Sequence, residues 1–144
     1  MKLILDDLIN KELEDYLLSQ EGIINVDLNN NSFLTEINIK FNNKTNPIII
    51  MKYIELFQKY KYSVLVEFDK GYIGNFKTLK YVVKDMCCDY CYKDLVKKLF
   101  DNELIKSVKS NFDFNKPAFN IEFIIEYFEN YDENELIKYI KAKL

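Results

Sequence analysis

The chain contains no histidine and no tryptophan, and its 144 residues include only three glycines, two prolines and three cysteines. Each scarcity excludes something. Without imidazole there is no histidine acid or base, and a metal site must draw on cysteine, methionine, carboxylate or backbone donors. With so little glycine and proline, the chain is poor in flexible linkers. No run approaches the ~18 apolar residues that a membrane-spanning helix needs, so no membrane insertion is expected. The opening Met1-Lys2-Leu3-Ile4-Leu5-Asp6-Asp7 meets acids too soon to be a secretory signal, and the expected location is cytoplasmic. A reducing cytosol makes the cysteines thiols or metal thiolates rather than structural disulfides. A net charge of −3 and a pI near 5.1 leave no cationic footprint for nucleic acid. Lysines are interspersed with acids, the pattern of a solvated surface.

What is present is apolar content enough for a packed core, 49% of residues. The abundance of Asn, Ile, Lys and Tyr fits an AT-rich genome and says little about function.

The chain also repeats itself. Glu12-Leu13, Leu17-Leu18, Glu21-Gly22-Ile23 and Val26 run parallel to Asp94-Leu95, Leu99-Phe100, Glu103-Leu104-Ile105 and Val108 at a constant offset of 82 positions. Met51-Lys52-Tyr53-Ile54 echoes Ile137-Lys138-Tyr139-Ile140 at an offset of 86. In the first half the patterning predicts a strand over 2–5 and a helix over 10–19, with apolar Leu13, Tyr16, Leu17 and Leu18. Strands follow over 23–28 and 34–41, with a hairpin turn at Asn29-Asn30-Asn31. A helix starts with Asn46 as cap and Pro47 at its first position and runs to about residue 60, and a strand follows over 62–68.

The second half predicts a strand over 78–84, a helix over 90–101, and strands over 105–112 and 119–128 joined by a turn at 115–117. A last helix runs over 133–143, with Asp132 and Glu135 as a capping box. The expected fold class is therefore α+β. Residues 1–72 form one ferredoxin-like βαββαβ unit, and residues 73–144 form a second that lacks its last strand. That lack leaves the 78–84 strand with an open edge, where the first unit's last strand, a second copy or a partner peptide would pair.

All three cysteines fall within Met86-Cys87-Cys88-Asp89-Tyr90-Cys91, between the predicted strand and helix. Cys88 and Cys91, three apart at a helix start, converge on one point. Thiolate sulfur is a soft donor, suited to Cu(I), Zn(II), Cd(II) or Hg(II). A helix N-terminus favours the thiolate. Two sulfurs satisfy Cu(I) or Hg(II) but not a four-coordinate structural zinc. Cys87 is the candidate third sulfur, and its bland alternative is a small packed hydrophobe. Tyr90 and Tyr92 flank Cys91, placed either to shield it or at the surface.

This stretch resembles the heavy-metal-associated domain of copper chaperones, mercury-binding proteins and metal-transporting ATPase tails. The resemblance covers roughly residues 78–144. It implies that Cys88 and Cys91 are the metal thiolates, with Met86 a buried apolar anchor. Two positions depart from the family pattern Gly-Met-Thr/His-Cys-x-x-Cys. Asp85 stands at the glycine and Cys87 at the Thr/His position.

The function expected is non-enzymatic binding of a soft metal ion, Cu(I) foremost, and its transfer to a protein partner. A homodimer bridged by the metal site or by the open sheet edge fits the same reading. The alternatives are a non-metal interaction module with a vestigial motif, and a thiol–disulfide oxidoreductase whose Cys88-Asp89-Tyr90-Cys91 resembles a glutaredoxin site. Only 25 residues separate Cys91 from Pro117, too few for the strand and helix a thioredoxin-like fold inserts there.

In the first half, Asp6 and Ile9 occupy the positions matching Cys88 and Cys91, so that unit is expected to be structural or partner-docking. Asp6-Asp7 reads as a solvated loop pair. Tyr53, Phe57, Phe123 and Tyr127 read as core.

Overall fold

A computed structural model describes residues 1–6, 11–31, 34–58, 64–86, 88–113 and 120–144. The chain is mixed α+β, with four described helices and antiparallel strand pairing within each of its two units. Its internal contacts divide it into Met1–Lys70 and Gly71–Leu144.

The first unit runs β1 (Lys2–Leu5), α1 (Lys11–Leu18), β2 (Ile23–Asn31), β3 (Leu34–Phe41), α2 (Pro47–Gln58) and β4 (Leu65–Asp69). Its strand order is β2-β3-β1-β4. Alternation sets which side of the sheet is covered. Leu3 and Leu5 of β1 and Ile37 and Ile39 of β3 are buried, and between them Glu36, Asn38 and Lys40 stay more open. Leu13 and Leu17 of α1 and Ile50, Met51 and Ile54 of α2 are buried at helical spacing. Tyr16 and Phe57 meet across the two helices with ring centroids 5.0 Å apart. Leu18, read as part of that apolar face, is 42% exposed because it lies off the Leu13–Leu17 stripe. The start of α2 is capped as its sequence predicts, with the Ile48 amide donating to Asn46 Oδ1 at 2.9 Å.

The Asn29-Asn30-Asn31 cluster is not the hairpin turn. All three residues belong to β2, opposite Glu36, Thr35 and Leu34. The buried Thr35 hydroxyl donates to Asn30 Oδ1 at 2.7 Å, which holds the polar side chain in the ladder. Turn propensity is a weak local preference, and cross-strand pairing overrides it.

Gly22 sits at the other end of β2 with φ of +89°, in the left-handed region. A Cβ there would overlap Thr45 Oγ1 and lie 3.2 Å from Thr45 Cβ. Thr45 is itself held by its hydroxyl bond to Asn42 Oδ1, and the Asn42 amide donates to the Gly22 carbonyl. Gly22→Ala is therefore expected to destabilise the chain by about 1–2 kcal/mol. A thermal-unfolding midpoint equal to that of the unsubstituted protein would refute this.

The second unit runs β5 (Phe76–Lys84), α3 (Asp89–Phe100), β6 (Ile105–Ser110), β7 (Asn120–Phe128) and α4 (Glu133–Lys143). Its strands lie in the order β6-β7-β5. β5 pairs in unbroken register with β7 from Phe76↔Phe128 to Lys84↔Asn120, and among the described residues of this unit it is an edge strand. Ile121, Phe123, Ile125 and Tyr127 of β7 form the covered face, which includes two of the expected core aromatics. The other two, Tyr53 and Phe57 in the first unit, are only partly buried. α4 starts as its sequence predicts, with Asp132 Oδ1 accepting from the Asn134 and Glu135 amides at 2.7 and 3.3 Å. The predicted turn at 115–117, Ile9, Asp7 and the end of the first-unit helix beyond Gln58 lie outside the described residues, as does Cys87.

Candidate functional site

β5 carries the chain to the cysteine segment. Val83, its last covered residue, is buried, and Lys84 ends the strand exposed. Asp85 then turns the backbone with φ of +58°, the left-handed conformation. That is the position where the family pattern has glycine. Aspartate is among the few L-residues that tolerate this region, because its short side chain bonds locally. Aspartate at this turn is thus accommodated by the backbone. Asp85→Gly is expected to leave stability within about 1 kcal/mol, whereas Asp85→Val, β-branched and strained there, should lower it by about 1–2 kcal/mol. Equal melting temperatures for the two variants would contradict a left-handed residue at this site.

Met86 is buried, as expected of an apolar anchor. Cys88 is the N-cap of α3, extended at φ −164° and ψ 166°, and its Sγ accepts from the Cys91 amide at 3.5 Å. The Tyr92 amide donates to the Cys88 carbonyl at 3.2 Å and closes the first turn. Cys88 Sγ donates to Cys91 Sγ at 3.3 Å, so the two predicted sulfurs do converge. Cys88 is exposed and Cys91 half-buried, and the two form no disulfide.

The helix behind them is held by one buried stripe, Tyr92, Leu95, Val96, Leu99 and Phe100. Tyr92 is fully buried and stacks on Phe112 at 4.2 Å and on Phe123 at 5.5 Å. Its hydroxyl meets Ser110 Oγ at 2.5 Å. It is neither a shield over the sulfurs nor a surface residue. The one-residue step from Cys91 turns Tyr92 about 100° round the helix, onto the core face. Tyr90 stays half-exposed on the sulfur side.

A cavity of about 310 Å³ opens beside Cys91. Val83, Met86 and Leu95 give it apolar wall, and Lys84, Lys98 and Lys143 bring cations to it together with Asp85 and Asp94. Lys98 is ion-paired with Asp94 at 2.7 Å. α4 is tied here by the Tyr139 hydroxyl, which donates to the Lys98 carbonyl at 2.7 Å. Burial pushes that phenol above its ordinary range, with Asp101 and Tyr131 adding to the effect. Lys143 Nζ lies 5.1 Å over the Tyr139 ring. Sequence reasoning missed this cavity. Nothing local in the sequence points to Lys84 or Lys143, which lie 59 positions apart.

Among the described residues, no three Cys, His, Asp or Glu side chains gather into a ready metal cage. No described helix is long and apolar enough to cross a membrane. Comparison with known protein families, with characterised proteins and with solved structures finds no match for this chain.

Proposed function

We propose that the second unit binds one soft metal ion, Cu(I) foremost, between Cys88 and Cys91, and passes it to a protein partner. The observation that carries this is the 3.3 Å approach of two sulfurs at the start of α3. Both are accessible to an incoming ligand, and the first-turn amide of Cys91 faces Cys88 Sγ, where it favours negative charge. Two thiolates suit a soft ion that accepts low coordination, and four-coordinate structural zinc would need more donors. Transfer then goes by ligand exchange. An incoming thiolate bonds the under-coordinated ion before Cys88 or Cys91 leaves, and no redox change is needed.

We further read the two units as tandem ferredoxin-like folds. The order β2-β3-β1-β4 with helices after the first and third strands supports this for the first unit. The second unit's β6-β7-β5 repeats the order of the first unit's β2-β3-β1. A βαββα frame that delivers Cys88-x-x-Cys91 from the first strand to the first helix is also what the resemblance to heavy-metal-associated domains rests on.

The test is a titration of the reduced protein with Cu(I) against a competing chelator, with Zn(II) in parallel. One-to-one Cu(I) binding that disappears in the Cys88→Ser, Cys91→Ser double variant is the expected result. Equal binding by both proteins would refute the reading and favour an interaction module with a vestigial motif.

A further inference from the structure

The sulfur geometry and the cavity beside it have a joint consequence. At a metal–sulfur distance of about 2.3 Å, sulfurs 3.3 Å apart subtend about 90° at an ion, so the pair grips it from one side. The other side is left for a further donor. Cys91 is itself part of the cavity wall, so a donor seated in the cavity lies next to one of the two sulfurs.

We propose that this cavity binds a small zwitterionic peptide thiol, whose sulfur becomes the third ligand of the ion held by Cys88 and Cys91. The inference rests on the metal-binding reading above. About 310 Å³ is at the small end of ligand pockets, a size for a short peptide and not for a protein segment. The charges are mixed, as a zwitterion requires. Lys84 and Lys143 make no ion pair among the described residues and are placed for carboxylates. Asp85 lies on the same wall as the acid for an ammonium group. The Lys98–Asp94 pair closes on itself, and Val83, Met86 and Leu95 supply apolar contact for the peptide stem. A fully anionic ligand would meet Asp85, and an apolar one would strand Lys84 and Lys143. On binding, the thiol gives its proton to solvent and its sulfur forms the new bond to the ion. The two protein sulfurs stay bonded and no electron moves. The same small thiol, leaving with the ion or displaced by a partner's sulfur, makes the complex ready for exchange.

Two probes separate the cavity from the metal. S-methylglutathione has the peptide but no free thiol. It is expected to bind the reduced, metal-free protein and the Cys88→Ser, Cys91→Ser variant alike. Its affinity should fall at least about tenfold in Lys84→Gln, Lys143→Gln, which removes two charge-assisted contacts. Reduced glutathione added to the Cd(II)-loaded protein is expected to raise the sulfur-to-cadmium charge-transfer absorbance by about half, for three such bonds in place of two. S-methylglutathione should leave it unchanged. Absence of S-methylglutathione binding, or binding indifferent to the lysines, overturns the proposal. So does a charge-transfer band that glutathione does not raise. A protein that shows no such band before glutathione is added fails the metal-binding reading instead, and the third-ligand role falls with it.

Discussion

Tyr92→Ala is expected to cost about 3–5 kcal/mol, the range for emptying a large aromatic site in a core. That is a large share of the 5–15 kcal/mol that holds an ordinary domain together. The side chain is fully buried and stacks on two rings, one from the segment after β6 and one from β7, so its loss leaves a cavity lined by those rings. It also leaves the Ser110 hydroxyl without its phenol partner. Tyr92→Phe keeps both stacks and removes only the hydroxyl contact, and should cost about 1 kcal/mol. Denaturant midpoints for the pair separate packing from hydrogen bonding. An alanine variant no less stable than the phenylalanine variant would show that Tyr92 does not fasten α3 to the sheet. Because Tyr92 follows Cys91 directly, the phenylalanine variant should still present both sulfurs.

How much of this was legible in advance follows the range of the forces involved. Helix starts were readable because they are local. Asn46-Pro47 and Asp132 with Glu135 carry their own hydrogen-bond partners within three residues, and the chain caps there. The strand-then-helix placement of Cys88 and Cys91 was readable for the same reason. The asparagine run in β2 misled, because its place in the ladder is decided by Thr35 and its neighbours on the opposite strand. Tyr92 was ambiguous beside Tyr90. Burial depends on which side of α3 meets Phe112 and Phe123, and those residues are 20 and 31 positions away. The cavity was invisible, since Lys84, Lys98 and Lys143 come from a strand end and two helices. The left-handed turn at Asp85 was hidden behind a residue that only occasionally adopts it.

The two cysteines are expected to contribute differently to the fold and alike to the metal. Cys88 caps α3, and serine is a better cap than cysteine, so Cys88→Ser should preserve the helix start while removing a soft donor. Cys88→Ala removes both, at a further cost of about 1 kcal/mol in stability. Cys91 lies inside the helix and caps nothing, so Cys91→Ser should leave stability within about 0.5 kcal/mol. For Cu(I), each single serine variant should lose at least about 100-fold in affinity, above the 10–100-fold typical when only a supporting group around a metal is changed. Competition titrations and unfolding midpoints on these three variants and the unsubstituted protein resolve these roles. If Cys88→Ser weakened Cu(I) binding only as far as it weakened folding, the sulfur would be acting as a cap and not as a donor. If the two serine variants bind Cu(I) equally poorly while melting with the unsubstituted protein, the sulfurs act as one chelating pair. The 3.3 Å between them then serves the ion more than the helix.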